Sequence, residues 1–132
     1  IINGVGFVKR VTSIVAEHNI PIDVCATSEI SFTFSIKSED YSKKLLKILE
    51  SFATVKVKNT ITKLCFIGNE ITSDKRLLAG IFTLCMELDT QIYTISVSAS
   101  GNNITILIDE NKTNTILKAL HQKFLKEEEC NQ

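Results

Sequence analysis

Ile30-Ser31-Phe32-Thr33-Phe34-Ser35-Ile36-Lys37 is the stretch that decides the fold. Apolar and polar residues alternate strictly along it, which is the period of a strand with one buried face. Such a strand belongs to an antiparallel sheet that is covered on one side only. The pattern returns 72 residues later, where Ile104, Ile106 and Ile108 hold alternate positions. The same spacing pairs Ile20 with Ile92 and Ser28 with Ser100. It also pairs Leu45, Ile48 and Phe52 with Leu117, Leu120 and Phe124. The first helix of each half matches only after a one-residue shift. A repeat this long is one folding unit used twice.

Helical periodicity marks four segments around these strands. Phe7, Val8, Val11, Ile14 and Val15 share one face, as do Tyr41, Leu45, Ile48, Leu49 and Phe52. Leu78, Ile81, Phe82, Cys85 and Leu88 form the third face, and Ile116, Leu117, Leu120 and Phe124 the fourth. Ser38 or Asp40 is the expected N-cap of the second helix, and Ser73 or Asp74 that of the third. The fourth is expected to fray in Glu127-Glu128-Glu129. Further strands are expected at 22–27, 54–58, 61–67, 91–98 and 103–108. The resulting order is βαββαβ twice, an α+β fold with helices on one face of each antiparallel sheet. The expected domains are 1–58 and 59–132. The first lacks a full opening strand and the second a closing one. An open edge of this kind is a liability. The chain is therefore expected to be a piece of a longer protein whose upstream residues supply a missing strand, or to have the edge filled by a partner chain.

Composition narrows the function classes. Lys and Arg number 15 and Asp and Glu number 15 in 132 residues, so the formal net charge is zero. Such a chain has no global field to attract nucleic acid or an anionic membrane. With 44% hydrophobic and 23% charged residues it is too apolar for disorder. No apolar run approaches the roughly 18 residues that span a bilayer. Nothing marks secretion, and a reducing cytoplasm is the expected location. Cys25, Cys65, Cys85 and Cys130 have no metal-knuckle or redox spacing; Cys25 and Cys65 in apolar strand-like runs and Cys85 on an apolar helix face read as structural filler.

No catalytic constellation is present: no GxGxxG, P-loop, HExxH or GxSxG occurs. Gly4-Val5-Gly6 precedes a helix, as a tight turn or as a set of N–H donors for an anion. His18 reads as a helix C-terminal residue and His121 as a boundary position. Asp23 interrupts an apolar strand, either as a solvated residue or as a half-buried carboxylate that awaits an ammonium group. Thr27-Ser28-Glu29 follows where the chain must turn.

These segments resemble a known family. Gly6-Phe7-Val8, His18-Asn19-Ile20-Pro21-Ile22-Asp23 and Thr27-Ser28-Glu29-Ile30-Ser31 are similar to the first ACT domain of aspartokinases. Phe66-Ile67-Gly68-Asn69 resembles the opening of their second ACT domain, and Ile92 through Ile108 the strand-turn-strand that follows. The likeness covers residues 1–126 and is closest to the lysine-sensitive type. Two positions depart from the pattern, since the family often has Met at Ile1 and Ser at Gly4.

The resemblance implies two ferredoxin-like ACT domains that form the regulatory part of an ATP-dependent phosphotransferase acting on aspartate. This chain would then have no kinase activity and no cofactor of its own, with ATP and magnesium held by a separate kinase domain. The implied partners are an amino-acid effector (L-lysine first, L-threonine behind it), a second copy paired through ACT domains, and that kinase domain. The implied effector-binding residues are Ile1, Gly4, Gly6, Phe7, Val8, Ile22, Asp23, Ser28 and Glu29, with no metal site. The second unit reads as structural or dimerising. A free-standing amino-acid sensor and a small ferredoxin-like enzyme are the alternative readings.

Overall fold

The helices begin and end where local chemistry dictates. The computed structural model describes residues 5–125. Ile1, Gly4, the acidic tail at 127–129 and Cys130 lie outside the described residues. Helix α1 (Phe7–Glu17) starts after Gly6, whose φ of 96° is left-handed and suits a residue without Cβ. It ends in a Schellman turn: Asn19 takes φ 55°, and Ile20 N–H donates to Val15 C=O at 3.1 Å. Strands β1 (Cys25–Thr27) and β2 (Phe32–Phe34) pair antiparallel. Helix α2 (Lys43–Glu50) is capped by Ser42, whose hydroxyl accepts from Leu45 N–H at 3.1 Å. Val11 and Val15 of α1 meet Leu45 and Leu49 of α2 in the core of this unit, with Phe32, Phe34 and Ile36 against them.

A second unit repeats the plan with an additional strand. β3 (Ile61–Ile67), α3 (Lys75–Glu87), β4 (Ile92–Val97), β5 (Asn103–Asp109) and α4 (Thr113–Leu120) follow in order. The sheet order is β3-β5-β4, all antiparallel, with a bulge between Ile92 and Thr94. Ile104, Ile106 and Ile108 are fully buried against Ile81 and Leu84 of α3 and Ile116 and Leu120 of α4. Both helices therefore cover the same face of the sheet. Lys112 Nζ donates to Leu88 C=O at 2.9 Å, setting a cation at the C-terminus of α3. The units comprise Ile1–Asn59 and Thr60–Gln132. The fold class is α+β with antiparallel sheets, as the alternation implies.

Several expectations are corrected. Residues 54–58 alternate but form no strand; alternation supplies a face, whereas a strand also needs a neighbour to pair with. The strands expected at 22–27 and from Ile30 are regular only over Cys25–Thr27 and Phe32–Phe34. Ser42 caps α2, because Ser38–Asp40 forms its own 3-10 turn first. Phe82 is 50% exposed and Leu117 47% exposed, although both fall on periodic apolar faces. Val8 and Tyr41 are also exposed. Cys25 and Cys65 are exposed rather than core filler; among the described cysteines only Cys85 is buried.

The repeat also slips. The buried residues of α1 and α3 match at a spacing of 70, which pairs Val11 with Ile81 and Val15 with Cys85. The αL residues Asn19 and Asp89 share that spacing. β2 and β5 keep the spacing of 72. Ser28 N–H donates to Ser31 C=O at 2.8 Å, whereas Ser98 N–H reaches Asn103 C=O at 3.0 Å. Thus Ser28 corresponds to Ser98, Ile20 to Thr90, and the second hairpin carries two additional loop residues.

Candidate functional site

Of the four α-helices, α2 and α3 begin with a side-chain cap, and α1 and α4 do not. Asp74 caps α3, its carboxylate accepting from Arg76 N–H at 3.0 Å and Leu77 N–H at 3.2 Å. Ser42 caps α2. Gly6 gives α1 no side-chain cap, and no acidic residue stands in its first turn. Early N–H groups of a helix lack intrahelical acceptors and carry the positive end of the dipole. A Cβ at Gly6 would meet nothing within 4 Å, so the space beside it is open. Phe7 anchors this end by an edge contact to Phe52 at 6.3 Å, and Arg10 lies 4.0 Å above the same ring. Val8 faces solvent. Among the described residues, the start of α1 is thus an uncapped helix N-terminus held beside Phe52.

Ser28 and Glu29 lie at the tip of the β1–β2 hairpin. The Ser28 and Ser31 hydroxyls meet at 2.7 Å, which fixes the turn. Glu29 is exposed, and Ile30 beside it is 83% exposed. In the second unit the loop before the helix rests on the hairpin: Gly68 N–H donates to Asn102 C=O at 3.0 Å and Thr72 N–H to Gly101 C=O at 3.2 Å.

Asp23 stands elsewhere. Its N–H donates to Ser35 C=O at 3.0 Å, and Val24 N–H donates to Ser35 Oγ at 3.1 Å. Two residues thus oppose one, at the position matching the bulge of the second unit. Bulges re-aim side chains and occur beside functional sites. Asp23 is exposed rather than half-buried, and Ile22 is partly buried against the core. Five residues of strand separate Asp23 from Ser28, about 16 Å. Helix α1 spans a similar ~16 Å from its open start to the turn that leads into Ile22. Gly6, Phe7, Val8, Ser28 and Glu29 therefore share one end of the unit, and Ile22 and Asp23 the other. Of the expected site residues that are described, Asp23 is thus separated along β1 from Ser28 and Glu29. The bulge at Asp23 was the feature that sequence reasoning missed; its only signal was a carboxylate inside an apolar run.

His18 Nδ1 lies 2.7 Å from Ile14 C=O, a structural role at the end of α1. Among the described residues no cluster of three or more His, Cys, Asp or Glu could hold a metal ion. No helix among them is long and apolar enough to cross a membrane.

Comparison with known proteins gives this geometry a context. No protein-family model matches the chain. Aspartokinase 1, chloroplastic, of Arabidopsis thaliana is 30% identical over 129 residues, covering 91% of this chain and 22% of its own. The chain is homologous to the regulatory region of aspartokinases. It spans about a quarter of the length of the curated aspartokinases it matches. The regulatory subunit of aspartate kinase from Thermus thermophilus shares the fold, with TM-score 0.80 and 22% identity over 94% of this chain and 86% of that one. Aspartokinase III of E. coli, in a T-state complex with lysine and aspartate, gives TM-score 0.76 and 24% identity over 90% of this chain and 27% of that one.

Proposed function

We propose that this aspartokinase regulatory region binds an end-product amino acid, L-lysine first, and thereby restrains phosphorylation of L-aspartate by a kinase domain. On this reading residues 1–58 are an effector-binding ACT domain and residues 59–132 a second ACT domain without a ligand. The observation that carries it is the contrast between the uncapped start of α1 and the Asp74-capped start of α3. An amino-acid carboxylate fits the first and is pre-empted in the second. The lysine-bound E. coli structure supports the choice of effector.

The ammonium groups need carboxylates, and Glu29 and Asp23 have the right charge. The two lie too far apart in one copy, so a second copy completes the site. β4, the counterpart of β1, is a sheet edge. Antiparallel pairing of β1 with a second β1, centred near Ala26, sets Asp23 of one copy beside Glu29 of the other. Effector binding then favours one dimer state and shifts the population toward it.

Thermal unfolding with excess L-lysine, L-threonine or L-methionine tests this reading. Ligand at about 100 times its dissociation constant adds roughly 2.7 kcal/mol to the native state. For a chain of this length that raises the midpoint by about 5–10 °C. A rise with lysine that Asp23→Ala and Glu29→Ala remove supports the proposal. No rise with any amino acid, in a folded dimer, refutes it.

A further inference from the structure

We propose that the outer face of α3 is a self-association surface that joins two copies of this chain antiparallel about a two-fold axis at Phe82. Ala79, Phe82 and Met86 are exposed, Phe82 by 50% and Met86 by 74%. At 100° per residue they fall within an arc of about 60° on one side of the helix. A contiguous Phe and Met stripe on a helix whose opposite face fills a core is typical of an interface centre.

The charges identify the occupant. Lys75 and Arg76 open α3 and Glu87 closes it, with no acid in the first turn and no base in the last. That order opposes the helix dipole, so these charges gain nothing from their own helix. Arg76 and Glu87 flank the apolar stripe on the same side, three turns apart. In an antiparallel pair, like flanks face each other. Arg76 of each copy then meets Glu87 of the other, Ala79 meets Met86, and Phe82 packs on its own counterpart. The three pairs share one midpoint, at residue 82 to within half a residue. A self-complementary patch with a single centre is what an isologous contact requires. An unrelated partner would impose no such symmetry.

The inference stands apart from the effector reading, because it concerns the other unit and needs no ligand. Sedimentation velocity of the whole chain over a concentration series, without amino acid, tests it. Arg76→Glu alone and Glu87→Arg alone should each weaken one association step by about tenfold or more, and the double variant should restore it. Phe82→Lys should weaken the same step, with circular dichroism confirming that the fold persists. Single variants that leave association unchanged, a double variant as weak as the singles, or a chain without such a step overturn the proposal. The lysine-dependent thermal shift measured on the same variants keeps the two readings separable.

Discussion

The ring of Phe124 packs directly onto the backbone of Gly80, its two Cε atoms 3.2 and 3.3 Å from where a Cβ would stand and its Cζ in collision with it. This explains a glycine in the middle of α3, where alanine is favoured by about 1 kcal/mol. Phe124 belongs to the turn His121–Leu125 that continues α4, and it borders the core of the second unit. Overpacking costs about 1–3 kcal/mol, which outweighs the propensity gain. Gly80→Ala should therefore lower the unfolding midpoint, by an amount equivalent to about 0.5–2 kcal/mol. Gly80→Ala combined with Phe124→Leu should recover stability relative to Gly80→Ala alone. A neutral or stabilising Gly80→Ala in a denaturant titration would show that the ring swings away freely.

Much of this architecture was legible in the sequence, and the exceptions share a cause. The alternation of Phe32, Phe34 and Ile36 and the triplet Ile104, Ile106, Ile108 specified the sheet faces, since the first three pack on the core of their unit and β5 buries all three isoleucines, whereas Ile30, on the same alternation, is exposed. The slip of the repeat was legible only in the first helix, where it read as one residue, and was silent on the strands because it is two residues. A two-residue shift leaves every strand side chain on its face, so pairing Ile20 with Ile92 or with Thr90 satisfies the same pattern. Val55 and Val57 alternate as a strand would, yet pairing depends on a neighbour that the pattern does not reveal. Phe82 satisfies the helical period and still faces outward, because an apolar residue at the margin of a core stripe has two possible fates. At the candidate site, the residue types were readable from Gly6, Asp23, Ser28 and Glu29. Their separation was not, because it depends on which end of β1 each occupies.

Asp74→Ala should destabilise the chain by about 0.5–2 kcal/mol, through loss of the two N–H acceptors at the start of α3. Asp74→Ser should restore most of that loss, since a hydroxyl can also accept at this position. Urea titrations of the three proteins decide the matter. Equal midpoints would mean that the cap is dispensable. The proposed ligand-free state of the second unit makes a further demand: the lysine response of Asp74→Ala should match that of the parent chain.

Asp89 occupies the left-handed region at φ 48° just beyond the C-terminus of α3, where a carboxylate also faces the negative end of the helix. Both effects favour glycine. Asp89→Gly should raise stability by about 0.5–1 kcal/mol, because the left-handed backbone strain and the dipole repulsion disappear together. Asn19, at φ 55° in the corresponding place on α1, carries no charge, and Asn19→Gly should change stability less. Calorimetric midpoints that rank the two variants the other way would refute the electrostatic part of this account.

Burial pushes the Cys85 thiol above its ordinary pKa. The folded state therefore holds the proton more tightly than the unfolded chain. That contribution is fully present below the ordinary thiol pKa and is lost as pH rises through the folded value, so stability should decline at alkaline pH. Cys25 and Cys65 are exposed. At mildly alkaline pH an alkylating reagent should modify Cys25 and Cys65 promptly, and Cys85 only as fast as the second unit opens. Peptide mass spectrometry of timed samples checks this order. Prompt modification of Cys85 would contradict its burial.

A site shared between two copies has a consequence that a site within one copy lacks. Asp23→Ala and Glu29→Ala should each abolish the lysine-dependent thermal shift when studied alone. When the two variants are mixed and allowed to exchange, heterodimers form that combine two damaged halves at one interface site and two intact halves at the other. Half of the chains enter such heterodimers at equilibrium if the variants associate equally well. Isothermal titration of the mixture should then show lysine binding at about one site for every four chains, with the affinity of the parent protein. A site built within one copy would leave the mixture as unresponsive as its components. The roughly 16 Å of strand and helix between Asp23 and the Gly6–Ser28 end of the unit is the reason to expect recovery.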